Sequence, residues 1–278
     1  MVSRLPWIGL FLLLVTSATP GWTLTVHYDA NRDAALVTCD QLRYRGDESA
    51  ATLCFEELMG SSEKLVRAQA ATELGDVATA NKLFREAASD DTDPAIKTAW
   101  GHLYLQTHQV TDAVALFREA LVFEPGYLPA ELGLAKSLSL RFEGQAREEL
   151  QQLNLSHPDN VQVMVLLASI ELELKNTERA RSLLETALVH ALEQNLPPLE
   201  IYALQAGANL LDAEPIDSWV EKALEFNPSY GDIYAIAARY YIITYRYRPA
   251  IDLYQKAVNI NPKLARAHRD LGVNLLRV

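Results

Sequence analysis

Two stretches of the chain, AVALFREALVFEP from Ala113 to Pro125 and AIDLYQKAVNINP from Ala250 to Pro262, set out apolar and polar residues on one plan. A small residue is followed four positions on by an aromatic, three further on by Ala and five further on by Pro. Apolar side chains at i, i+3, i+4 and i+7 share one face of a helix, so each stretch is predicted to be an amphipathic helix ending before its Pro. The middle Ala recurs as Ala87, Ala120, Leu153, Ala187, Ala223 and Ala257, at intervals of about 34 residues. The large apolar position recurs in the same register as Phe84, Phe117, Leu150, Leu184, Val220 and Tyr254. Two columns in one register predict a stack of similar units.

A second apolar-periodic segment precedes each of these helices. It carries a small residue where the two helices of a unit cross: Ala68, Gly101, Ala135, Ala168, Ala238 and Gly272, with Leu204 in the slot of the fifth unit. Tyr104, Leu138 and Tyr241, three positions later, are expected to fill the groove beside the crossing. Pro125, Pro158, Pro228 and Pro262 stand where the second helices end, since Pro cannot continue a helix and biases its predecessor to an extended form.

Gly or Ala, Tyr, Ala, Phe or Tyr, Ala and Pro at these offsets resemble the tetratricopeptide repeat. The best matches are Pro94 to Tyr127 and Gly231 to Leu264; weaker units run Ser61 to Asp93, Leu128 to Asn160, Val161 to Asn195 and Leu196 to Tyr230. The resemblance covers residues 61–264 as six units and 265–278 as the first helix of a further one. It implies an all-α fold, a right-handed α-solenoid with a concave inner surface. The unit after Leu128 has a shortened turn. The one containing Pro197 and Pro198 is longer and has Ile216 where a small residue is usual.

Residues 19–60 are predicted to hold one more, divergent pair of helices, Asn31 to Tyr44 and Asp47 to Met59, turning at Gly46 and Asp47. Aligning Ala51 with Ala113 puts Cys39 at the crossing position and Cys54 near the facing slot. Two readings stand: a disulfide that staples a terminal pair packed on one side only, or two small core thiols.

The first residues read as an export signal, 1–18. Arg4 is the positive start, Leu5 to Val15 the apolar stretch and Thr16, Ser17 and Ala18 the small-residue cleavage site. The apolar stretch is shorter than the ~20 residues of a membrane span. The mature protein is expected to be periplasmic or secreted. A net charge of −11 argues against non-specific binding to nucleic acid or anionic membranes.

The tetratricopeptide resemblance also implies which positions face the concave groove. They include Thr98, His102, Leu132, Lys136, Ser139, Val165, Ser169, Ile201, Gln205, Arg239, Ile242, Arg266 and Arg269. Arg239, Arg266 and Arg269, with Arg246 and Arg248 nearby, form a basic concentration in an acidic chain, interleaved with Tyr240, Tyr241, Tyr245 and Tyr247. A guanidinium can hold a carboxylate in two hydrogen bonds or stack on a ring, so an acidic or C-terminal peptide segment suits this end. Charged helix faces are more often simply solvated. The Lys and Asn set with which chaperone-binding members of the family grip a terminal carboxylate is not reproduced.

Catalytic patterns are missing. The six histidines, His27, His102, His108, His157, His190 and His268, show no metal-ligand spacing, and HExxH, CxxC and GxSxG do not occur. Gly133 to Ser137 imitates only the tail of a phosphate loop and lies inside a predicted helix. Asn154-Leu155-Ser156 is a glycosylation pattern taken as chance. No cofactor is expected. The function implied is a scaffold for a protein or extended peptide. The competing reading is the front part of a secreted enzyme, such as a zinc peptidase, whose catalytic domain lies beyond Val278.

Overall fold

The computed structural model describes residue 27 and residues 32–278 except 91 and 141. The expected signal peptide lies outside the described residues. These form fifteen α-helices and no strand. They fall into pairs: α1 (Ala34–Tyr44) with α2 (Glu48–Leu58), α3 (Lys64–Glu73) with α4 (Val77–Asp90), α5 (Pro94–Gln106) with α6 (Val110–Phe123), and α7 (Leu128–Ser139) with α8 (Glu143–Ser156). The series continues with α9 (Val161–Glu173) and α10 (Thr177–Glu193), α11 (Leu199–Leu211) and α12 (Asp217–Phe226), α13 (Asp232–Ile242) and α14 (Tyr247–Ile260), then α15 (Ala265–Leu275). The pairs stack as a right-handed solenoid, with the first helix of each pair inside and the second outside.

Local chemistry sets the helix ends. The carboxylates of Asp33, Asp47 and Asp93 accept hydrogen bonds from the N–H groups of Ala35, Ala50 and Ala95, and the Asn160 side chain accepts one from Val163; these satisfy donors that a helix start leaves open. Outer helices α6, α12 and α14 stop at Glu124, Asn227 and Asn261, each extended and each immediately before a Pro. The turns from inner to outer helix use left-handed backbone at Gly46, Gly75, His108, Lys175, Ala213 and Tyr245.

The repeated columns are the core. Ala113, Phe117 and Ala120, Ala146 and Leu150, and Ala180, Leu184 and Ala187 are fully buried on α6, α8 and α10. The Phe117 ring lies between α5 and α7, where a Cβ on Gly101 would fall 2.6 Å from it and one on Gly133 would overlap it. On α7 the small residue that meets the Phe117 ring of the preceding unit is Gly133, and Ala135, expected at the crossing within its own unit, is buried.

In the fifth unit Leu204, in the crossing slot, is buried, and Gly207, three positions on, leaves room for the Tyr240 ring of α13 in the next unit. Tyr240 and Tyr254 are buried, whereas Tyr241, expected to fill the groove beside the crossing, is partly buried against the core with the Arg246 guanidinium 4.6 Å from its ring centroid.

The superhelix also touches itself. The α1–α2 turn meets the α12–α13 turn, where the Asn227 amide donates to the Arg43 carbonyl and Gly46 lies against Asn227 and Pro228. Tyr44, buried, joins the apolar core of the C-terminal units. At the other end Gly272, expected at a helix crossing, meets no neighbour within 4 Å, and Val273, Leu275 and Leu276 are exposed, because no helix follows α15 among the described residues.

Candidate functional site

The inner helices bring some of the expected groove residues together and not others. Lys136 on α7, Arg239 on α13 and Arg266 on α15 all act electrostatically on the Glu200 carboxyl in the first turn of α11. Burial raises Glu200 above the ordinary carboxylate range, and the three cations oppose that rise. Arg239 reaches past α11 to pair with Glu173 on α9 at 2.5 Å. Burial, then the like charge of Arg239, lowers the pKa of Arg266. Arg266 and Arg269 share one carboxylate, Asp270, at 3.7 and 3.0 Å. At the α13–α15 end Arg266 thus meets the like charges of Arg239 and Arg269 and the carboxylates of Asp270 and Asp232.

His102 behaves differently. Burial first, then the charges of Lys136 and His27, pushes its pKa down to about 3, and its ring packs edge-on to Phe117 at 5.1 Å. It is a neutral wall residue. Gln205 and Thr98 are buried, at 2% and 4% exposure, so they support the inner wall instead of presenting side chains to a groove. Arg246 is exposed and engaged with Tyr241 at the turn, and Arg248 is exposed beside it.

A second cluster stands at the N-terminal units. The Glu73 carboxylate accepts from His27 Nε2 at 2.8 Å, from Arg43 at 2.8 Å and from Arg32 at 3.2 Å, while Arg32 also grips Asp40 at 2.5 and 3.1 Å. Burial alone would raise the pKa of Glu73; His27, then Arg32 and Arg43, bring it down to about 2. The His27 N–H donates to the Tyr44 hydroxyl at 2.7 Å. Ligand atoms of His27, Asp40 and Glu73 lie within 4.8 Å of one another, but two guanidinium groups already hold these carboxylates. The arrangement is an ion-pair network, not a cation cage.

Cys39 and Cys54 are joined, with Cα atoms 5.4 Å apart, so α1 and α2 are covalently tied. Glu200 and the Glu73 network went unnoticed in the sequence. Glu200 precedes Ile201, a groove position, and that adjacency was its one signal. His27, Arg32 and Glu73 share no periodicity.

By sequence the chain matches no protein-family model and no curated protein. By structure it resembles a tetratricopeptide repeat protein from Parabacteroides merdae (13% identity, 87% of this chain and 97% of that one, TM-score 0.56). It also resembles a human IFIT1 dimer with m7Gppp-AAAA (17% identity, 90% and 66%, TM-score 0.54) and yeast Tom70 (14% identity, 94% and 69%, TM-score 0.51). The chain is a helical-repeat solenoid. Its fold is the tetratricopeptide-repeat fold.

Proposed function

We propose that this chain is an exported, non-catalytic scaffold whose concave face holds an extended acidic segment of a protein. The observation that carries this reading is Arg266, flanked by Arg239 and Arg269, with Asp270 shared between Arg266 and Arg269. A carboxylate placed there relieves cation repulsion in a partly desolvated setting, where charge-assisted hydrogen bonds are stronger than in water. Export is supported by the leader pattern of Arg4, Leu5 to Val15 and Ala18, and by the Cys39–Cys54 bond, a linkage that persists in oxidising compartments.

The test is fluorescence anisotropy with two labelled extended peptides of equal length, one rich in Asp and Glu and one uncharged. The acidic peptide is expected to bind more tightly, and Arg266→Glu to weaken it by at least about tenfold, the scale of one charge-assisted contact. Equal binding of both peptides, or indifference to Arg266→Glu, overturns the reading.

A further inference from the structure

Three outer helices carry a row of apolar side chains left in solvent. Ala113, Ala146 and Ala180 hold one register position on α6, α8 and α10; nine residues further along each helix stand Val122, Leu155 and Val189. Their exposures are 78%, 74% and 54%. The same position is Ser89 on α4, Glu225 on α12 and Asn259 on α14. Single exposed apolar residues are ordinary on a protein surface. A row repeated in register on three neighbouring units, and polar in the units on either side, is a bounded patch of the kind that marks an interaction surface. Phe123 and Leu192, also exposed, widen it.

The apolar row and its charge specify what fits. Each of the three helices packs on the inner helices of its own and the next unit, which leaves the row on the outer surface. A helix laid across α6, α8 and α10 meets it with one apolar face. Exposed acids border the row on both sides: Glu124, Asp159 and Glu193 toward the C-terminal ends of these helices, Glu119, Glu149 and Glu185 toward their middles. Cations are fewer: Arg118 on α6, Lys97 paired with Glu119, and His190 beside Asp159 and Glu193. This charge pattern repels an acidic occupant and suits a basic one.

We propose that the Val122, Leu155 and Val189 ridge is a docking surface for a cationic amphipathic helix of a partner protein, apolar along one face and flanked by Lys or Arg. It lies on the outer helices, separate from the concave face, and its occupant differs in charge from the acidic segment assigned there.

The test uses the full mature chain and a synthetic helix of about 18 residues with Leu along one face and Lys on both flanks, beside a scrambled peptide of identical composition. Binding is read by isothermal titration calorimetry. The patterned helix is expected to bind at least tenfold more tightly than the scrambled one. Leu155→Ser, a charge-neutral change at an exposed site, should reduce that affinity about tenfold and leave the circular dichroism spectrum unchanged. Equal binding of the two peptides means charge attraction alone and overturns the proposal, as does full affinity in Leu155→Ser. Sedimentation equilibrium is run in parallel; self-association abolished by Leu155→Ser assigns the ridge to a second copy of the chain and overturns the cationic-helix occupant.

Discussion

The side-chain amide of Asn227 donates to the Arg43 carbonyl at 3.4 Å, although 184 residues separate them. The contact joins the first helical pair to the turn before α13, and Tyr44 beside it packs into the C-terminal core. Stability in a repeat array is normally a sum of neighbour interfaces, so each unit depends on those beside it. Here the terminal pair gains a second, distant neighbour, and its conformation is coupled to the far half of the array.

Gly46→Val tests that coupling. Gly46 has φ of +88°, and a Cβ there would fall 2.7 Å from the Asn227 side-chain oxygen. A β-branched residue is strained in this region and pushes the two turns apart, at a cost of about 1–3 kcal/mol. Faster amide exchange is expected at Arg43–Gly46 and, across the gap, at Asn227–Tyr230. Exchange that changes only around position 46 would show that the contact transmits nothing.

Reduction of the Cys39–Cys54 bond should act more locally. The bond spans a sequence separation of 15, for which loop-closure entropy predicts a loss of about 3 kcal/mol. The core it supports is small, built from Leu36, Ala51, Phe55, Val66 and Ala70. Dithiothreitol is therefore expected to lower the temperature at which α1 and α2 melt while α9 to α11 keep theirs. Site-resolved exchange with and without reductant measures it.

The repeat was legible because a column such as Ala113, Phe117 and Ala120 records helix-to-helix contact at a constant interval. Those contacts are local in sequence, and stacking repeats them. The columns do not record contacts between units, such as the Tyr240 ring of α13 against Gly207 of α11. For the candidate site, the tetratricopeptide resemblance put Lys136, Arg239 and Arg266 on inner helices. It did not encode the burial of Gln205 or the pairing of Arg239 with Glu173, 66 residues away on another unit. The Glu73 network was invisible for the same reason, since its members meet through tertiary winding.

Gly207→Ala separates general helix propensity from this particular packing. On an exposed helix the change stabilises by about 1 kcal/mol. At position 207 the new methyl overlaps the Tyr240 ring, and overpacking of a filled core costs about 1–3 kcal/mol. The expected result is a lower urea midpoint, restored in large part by adding Tyr240→Leu, whose shorter side chain vacates the contact. A raised midpoint in Gly207→Ala alone would mean that α11 and α13 can separate freely.

The Glu73 network carries a pH signature whose sign follows from linkage. In the folded chain Glu73 titrates at about 2, whereas its ordinary value is 4.5. A depressed carboxylate contributes stability that is complete above 4.5 and is lost as pH falls toward 2, because below 4.5 the unfolded chain takes up a proton that the folded one refuses. Glu73→Gln removes that contribution and leaves Arg32 and Arg43 without their shared partner, at a cost of about 3 kcal/mol near neutral pH. The gap between the two proteins should therefore be widest above pH 4.5 and narrow steadily between 4.5 and 2. Urea unfolding of both at pH 6.5, 4 and 3 measures it; a gap that stays constant across this range would show that Glu73 is not held ionised by His27 and the two arginines.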